Sequence, residues 1–190
     1  VHEKIYDAFV ERFVSEIDKL SVWPALDPTT QIGPVVSDTQ LKSNLSYVEI
    51  ARNEGCEVVS GQHLAERNTG YFQRPGVFLN ANNKMRSSRE EIFGPVASII
   101  KVDDFEEAVA TANDTEFGLS SAICTRSLYY AREFKRLSEA GMAMVNLPTA
   151  GVDYHVPFGG RKNSSYGSRE QGRAAIDFYT TTKTTYSFAG

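Results

Sequence analysis

The chain has 190 residues, of which 41% are hydrophobic and 23% charged, and it carries a formal charge of −4. With no basic excess to neutralise phosphates, a nucleic-acid partner is disfavoured, and no apolar run approaches the roughly 20 residues that cross a bilayer. The length suffices for one good core or two small ones.

The chain opens Val1-His2-Glu3-Lys4 with no initiator methionine. This start, already inside a helical pattern, is expected of a fragment or processed product, or of a choice of expressed segment. Ile5, Phe9, Phe13, Ile17 and Leu20 recur at spacings of three and four, which predicts an amphipathic helix ending before Pro24. The Pro-, Asp- and Thr-rich stretch 24–34 reads as an extended connection. A second helix follows: Ser37 and Gln40 have capping-box spacing, Leu41, Leu45 and Val48 form the apolar stripe, and Gly55 supplies the stop. A short strand over 57–59, a polar loop holding Gly61 and Gly70, and a strand broken by Pro75 and Gly76 come next.

The middle of the chain alternates strand and helix. A β-branched run spans 96–102, and Asp104 with Glu107 repeats the capping-box spacing before a helix to about Asp114. Residues 119–125 form a strand, Ser127 caps a helix that Gly141 ends, and 142–146 form another strand. Short connections of this kind mean parallel strands joined by right-handed crossovers. The fold class is therefore α/β: a three-layer α/β/α domain on a mostly parallel sheet. Beyond it lies a Gly-, Pro- and Ser-rich loop over 148–168, then a short helix over 170–178, then an almost uncharged, Thr-rich tail. The expected divisions are 1–147, 148–178 and 179–190. Such a tail needs a sheet edge, its own or a partner subunit's.

Cys56 and Cys124 make no disulfide framework and read as two buried thiols of a cytosolic protein. No His, Cys or carboxylate spacing supports a metal, and His155 reads as a packed loop residue. Three features could carry chemistry. In Glu90-Glu91-Ile92-Phe93-Gly94-Pro95, a carboxylate can accept both hydroxyls of a ribose and an aromatic face can pack on a flat heterocycle. On spacing alone, a solvated charge pair and a core Phe is the simpler reading. Val156-Pro157-Phe158-Gly159-Gly160-Arg161-Lys162 permits close backbone approach beside two cations, or is merely a turn. Glu170 could be a general base, or more commonly a charge favourable to a helix N-terminus.

Taken in order, these segments resemble the signature of the aldehyde dehydrogenase superfamily. The resemblance rests on Glu90-Glu91-Ile92-Phe93-Gly94-Pro95-Val96, Asp104-Phe105-Glu106-Glu107-Ala108 with Ala112-Asn113, Phe117-Gly118-Leu119-Ser120, and Pro157-Phe158-Gly159-Gly160. The stretches 1–20, 27–28 and 33–36 are similar to the part that follows the family's active-site cysteine. It implies chemistry in which a cysteine thiolate attacks an aldehyde, hydride passes to NAD or NADP, and a thioester is hydrolysed. The cysteine, the oxyanion-hole asparagine, the water-activating glutamate and the dinucleotide domain are expected upstream of Val1, so this chain alone is expected to be inactive and not to bind NADH. By position, Glu91 resembles the ligand of the nicotinamide ribose, Phe93 the residue beside the nicotinamide ring, and Phe158 a wall of the aldehyde pocket. Glu170 matches a carboxylate that passes protons. Residues 147–158 are similar to a subgroup acting on acidic semialdehydes such as α-ketoglutarate semialdehyde, whose carboxylate Arg161 would suit. Asn163 and Ser168 depart from that subgroup's usual Gly and Pro; Asn keeps a left-handed conformation accessible at 163. The resemblance further implies a cytoplasmic enzyme with a small-molecule aldehyde substrate, a homodimer or homotetramer built through the C-terminal strand. The alternatives are a non-enzymatic assembly or binding module on the same scaffold, and a stand-alone nucleotide-binding domain. The latter is disfavoured because no G-x-G-x-x-G loop follows a strand.

Overall fold

The computed structural model describes residues 1–64 and 70–190, so part of the polar loop expected after Gly61 lies outside the described residues. The chain packs as two compact units, 1–108 and 109–190. The boundary falls inside a helix, whereas the change in composition read from the sequence falls at 148.

The first unit begins with an extended pair of residues rather than with helix. Val1 and His2 run alongside residues 100–102: the Val1 ammonium donates to the Ile100 carbonyl (2.7 Å), and the Glu3 N–H donates to the Val102 carbonyl (2.8 Å). Helix α1 (Glu3–Asp18) starts there because His2 Nδ1 accepts the Lys4 N–H at 3.1 Å, an N-cap that the apolar periodicity does not reveal. Helix α2 (Asp38–Asn53) starts as expected, with Ser37 Oγ accepting the Gln40 N–H at 3.1 Å. Gly55 follows it in a left-handed conformation (φ +94°), which satisfies the end of the helix without a Cβ penalty.

Strand β1 (Glu57–Ser60) pairs antiparallel with β2 (Gly76–Leu79). The short helix α3 (Arg86–Arg89) intervenes, and β3 (Val96–Ser98) then pairs parallel with β2. The sheet order is β1-β2-β3, so β2 is central and buried along its whole length. Successive β2 side chains enter different cores, as the two-residue period of a strand requires. Phe78 packs with Val48 and Ala51 of α2, while Val77 and Leu79 pack with Tyr6 of α1. Helix, sheet and helix are thus the three layers of this unit. Burying Val48, Val77, Phe78 or Leu79 contributes roughly 1.5–3 kcal/mol each.

The second unit continues from α4 (Phe105–Asn113), where Asp104 caps with box spacing and only the return bond is displaced by one residue. Asp104 Oδ1 accepts the Glu107 N–H at 2.8 Å, and Glu107 Oε2 reaches back to the Asp103 N–H at 2.6 Å. Strand β4 (Ser120–Ile123), helix α5 (Leu128–Leu137) and strand β5 (Met142–Val145) form a crossover unit with β4 and β5 parallel. The expected continuous sheet through 96–102 is not formed among the described residues. Strand β3 takes β2 as its partner, β4 takes β5, and the unit boundary lies between them. The loop from 147 carries one 3-10 turn (Lys162–Ser164) before α6 (Ala174–Tyr179). Residues 180–190 are exposed and lie in no strand, so the tail does not edge a sheet of its own unit.

The two thiols differ from expectation. Cys56 is buried, with its Sγ 3.4 Å from Met85 Sδ, and burial raises its pKa. Cys124 is exposed, because it sits just past β4 where alternate residues face solvent. Native chain treated with a thiol-specific chromogenic reagent should therefore label at one cysteine, Cys124, and the second should react only after denaturation. Labelling of both thiols in the native state at equal rates would contradict this packing. His155, expected to be packed, is exposed with its ring edge-on to Tyr154.

Candidate functional site

The candidate residues divide between the two units: Glu91 and Phe93 in the first, and Phe158, Arg161 and Glu170 in the second.

In the first unit, α3 projects the segment 90–95. Four residues make no stable helix unaided, and Met85 offers no side-chain cap. The cap comes from elsewhere. Glu54, at the end of α2, accepts the N–H groups of Arg86 (2.7 Å) and Ser87 (3.2 Å), and also the Ser87 hydroxyl (2.7 Å). The adjacent carboxylates then part ways. Glu90 is clamped by two Arg86 nitrogens (2.8 and 2.9 Å) and by the Tyr47 hydroxyl (2.5 Å). Arg86 first, and Tyr47 second, hold its pKa down from 4.5 to about 2. Glu91 is exposed and makes no side-chain hydrogen bond or ion pair among the described residues. Only Glu91 is therefore available to a ligand, a distinction the sequence Glu-Glu does not contain.

Phe93 is not a core residue. It is 77% exposed and sits in the left-handed region at φ +56°. For a non-glycine residue that conformation costs about 1–2 kcal/mol, so its surroundings must impose it. It stands between two grooves. One, of about 290 Å³, is lined by Ser87, Ser88, Glu91, Phe93 and Val96 among others. The other, of about 520 Å³, is lined by Ile32, Pro34, Val36, Gln40 and Pro95 besides Phe93.

Beneath this segment runs a chain of amides. Gln40 Nε2 donates to the Ile92 carbonyl (2.9 Å) and to Asn44 Oδ1 (2.7 Å). Asn44 Nδ2 donates to Gln73 Oε1 (3.0 Å), and Gln73 Nε2 donates to the Gly61 carbonyl (3.0 Å). Asn44 is 0% and Gln73 1% exposed. Sequence reasoning assigned Gln40 to a cap and passed over the other two. The available signal was Asn44 itself: three residues after Leu41 and four before Val48, it is a polar side chain on a buried helical face.

In the second unit, Phe158 and Glu170 form an isolated antiparallel bridge. The Phe158 N–H donates to the Glu170 carbonyl (2.7 Å), and the Glu170 N–H donates to the Phe158 carbonyl (2.9 Å). Directly opposed residues of an antiparallel pair present their side chains on one face, so the half-buried aromatic and the exposed carboxylate are brought together. The helix-terminus reading of Glu170 is not realised, since α6 begins four residues later at Ala174. Arg169 anchors the same loop by donating to the Gly160 carbonyl (2.6 Å). Gly141 lies beneath it, where a Cβ would come 2.1 Å from the Gly159 carbonyl oxygen. The Arg161 side chain is exposed, while its N–H donates to the Gly118 carbonyl (2.8 Å). Lys162, not Asn163, takes the left-handed conformation (φ +51°). Its Nζ binds the Asn113 and Thr115 carbonyls (2.6 and 3.0 Å) and Glu139 (2.6 Å), tying the loop to the end of α4. The side-chain amide of Asn163 instead donates to Glu116 (3.0 Å).

Residues 1–185 match the sequence profile of the aldehyde dehydrogenase family. The chain belongs to that family. An α-ketoglutarate semialdehyde dehydrogenase of Haloferax volcanii is 45% identical over 190 residues, covering 98% of this chain and 39% of that protein. An α-ketoglutaric semialdehyde dehydrogenase of Bacillus subtilis is 39% identical over 189 residues, again 98% of this chain and 39% of that protein. Among solved structures, the indole-3-acetaldehyde dehydrogenase AldA of P. syringae, in complex with NAD+ and IAA, superposes with a TM-score of 0.91 at 35% identity. That match covers 97% of this chain and 37% of the other. The aldehyde dehydrogenase chain therefore spans about 39% of the length of the curated relatives it matches. Its α/β class agrees with theirs. Among the described residues no helix is long and apolar enough to cross a membrane, and no cluster of three His, Cys, Asp or Glu side chains could hold a metal ion.

Proposed function

We propose that this chain is the C-terminal part of an NAD- or NADP-dependent aldehyde dehydrogenase that oxidises an acidic semialdehyde to a carboxylic acid. The observation that carries this reading is the separation of the adjacent glutamates. Glu90 is paired with the Arg86 guanidinium and accepts from the Tyr47 hydroxyl, while Glu91 stands free beside an exposed aromatic on a fixed turn. A free carboxylate can accept both hydroxyls of a nicotinamide ribose, and the Phe93 ring can pack beside the nicotinamide. The buried Ser88 hydroxyl, which has no partner among the described residues, lines the same groove and fits a polar ligand there. When bound, the cofactor supplies the hydride acceptor. Phe158 forms one wall of the aldehyde pocket, Glu170 passes protons, and Arg161 attracts the substrate's carboxylate. The semialdehyde specificity is supported by the H. volcanii and B. subtilis relatives. The Thr-rich tail pairs with a neighbouring subunit of a cytoplasmic homodimer or homotetramer, since its own unit offers it no partner strand.

The decisive experiment is to read the coding sequence upstream of Val1. The proposal expects an in-frame cysteine codon within a few residues and a dinucleotide-binding domain further up. In agreement, the 190-residue chain titrated with NADH should show no change in cofactor fluorescence. An in-frame stop directly before Val1 would overturn the enzymatic reading and leave a non-enzymatic assembly module.

A further inference from the structure

The amide chain under residues 90–95 has a geometry that goes beyond satisfying buried polar groups. Phe93 is the left-handed residue, and both of its neighbours rest on the chain. The carbonyl of Ile92, in the peptide that leads into Phe93, accepts from Gln40 at 2.9 Å. Gly94, the residue that leads out, lies so close that a Cβ there would come 2.6 Å from the side-chain amide of Asn44. Turning the Asn44 amide over would bring its nitrogen within 3.1 Å of the Ile92 carbonyl but would set it against Gln40 Nε2 (2.7 Å) and its oxygen against Gln73 Oε1 (3.0 Å), so the orientation bonded to Gln40 and Gln73 is the one that faces donor to acceptor at both. Beyond Gly94 the turn is closed by the Val96 N–H donating to the Gly94 carbonyl (2.8 Å) and the Gly76 N–H donating to the Pro95 carbonyl (2.8 Å).

We infer that Asn44 is a positioning residue: braced by Gln73, it holds Phe93 in its left-handed conformation and so sets the direction of the Phe93 ring and the Glu91 carboxylate. The alternative for a phenylalanine is to relax into the β or right-handed region, where its intrinsic preference lies. That relaxation rotates the peptides on either side of Phe93, and they cannot rotate while Gln40 holds one and Asn44 abuts the other. Asn44 suits the task because it is fully buried on α2 and bonded on both sides, to Gln40 and to Gln73. A buried amide of this kind can adopt few other arrangements without leaving a donor or acceptor unpaired. Its importance for cofactor binding rests on the function proposed above. Its action on the backbone does not.

The test follows Phe93 by NMR in the isotope-labelled 190-residue chain, without any ligand. A positive φ brings a residue's own amide and Hα protons together, so Phe93 should give a strong intraresidue NOE. In Asn44→Leu, similar in shape but without hydrogen bonds, that NOE should be lost and the amide signals of 91–95 should shift. Val48→Ala, one turn along the same buried face, is the control: it lowers the melting temperature yet should leave the NOE and those shifts unchanged. Phe93→Gly in the Asn44→Leu background should restore the 91, 92, 94 and 95 signals, because glycine adopts the left-handed region without help. Gln73→Leu, which removes only the brace, should weaken the NOE and serves if Asn44→Leu does not fold. Retention of the NOE in the Asn44 or Gln73 variant, equal loss in Val48→Ala, or no recovery with glycine each overturns the inference. Failure of Glu91 variants to affect cofactor kinetics would instead sink the functional reading and leave this one standing.

Discussion

Replacing Glu91 by Gln in the enzyme that carries this chain is expected to lower kcat/KM by about 10- to 100-fold, since hydrogen bonds to a charged group contribute roughly 1.5–3 kcal/mol. The substitution keeps the shape of the side chain and removes its charge, so the ribose hydroxyls lose their best acceptor while the turn is undisturbed. The comparison that gives the result meaning is Glu90→Gln. Glu90 is joined to Arg86 and Tyr47 on an exposed surface, and exposed ion pairs contribute little. Glu90→Gln should therefore change kcat/KM by no more than a few-fold. Steady-state kinetics with the cofactor as varied substrate decide between them. A larger loss in the Glu90 variant than in the Glu91 variant would mean that the clamped carboxylate, not the free one, meets the cofactor.

Gly141→Ala should be the most damaging small substitution in the second unit. The added methyl would stand 2.1 Å from the Gly159 carbonyl oxygen and 2.7 Å from both Gly160 Cα and Arg169 Nη1. Two of these are backbone atoms, so a swing of the Arg169 side chain cannot relieve the clash. The strand end or the Phe158–Gly160 loop has to move. Overpacking of this severity costs about 3 kcal/mol, which for a chain of this length lowers Tm by roughly 6–12 °C. Because Arg169 ties Gly160 to the same place, the strain should also reach the Phe158–Glu170 bridge. Thermal unfolding followed by circular dichroism measures the first effect, and amide hydrogen exchange at Phe158 and Glu170 the second. An unchanged Tm would show that Gly141 is free to accept a side chain and that the loop is not seated on it.

Much of the scaffold is legible in the sequence. The long helices announced themselves through apolar periodicity and the capping spacings at Ser37, Asp104 and Ser127, because these are local signals between residues one turn apart. Strands β4 and β5 and their parallel pairing followed from the short crossover through α5. The positions of Glu91, Phe93, Phe158 and Glu170 were read from motif order by resemblance. What local pattern could not supply was any feature built by residues distant in the chain. Helix α3 exists because Glu54 caps it from 32 residues away. The N-terminal residues are extended because 100–102 lie beside them. Cys124 is exposed because of where β4 ends, although its neighbours in sequence are as apolar as those of Cys56.

The sequence on its own determined the α/β class, the family and the chemical types present at the site: two adjacent carboxylates, an aromatic and a Gly-rich turn. It could do so because periodicity, caps and motif order are properties of neighbours along one chain. Only the tertiary structure decided which carboxylate is free, that Phe93 projects outward in a left-handed conformation, and that Phe158 stands opposite Glu170. Those outcomes depend on hydrogen bonds between residues many turns apart, from Tyr47 to Glu90, from Gln40 to Ile92 and from Phe158 to Glu170. Their partners are brought within reach only once the backbone has folded.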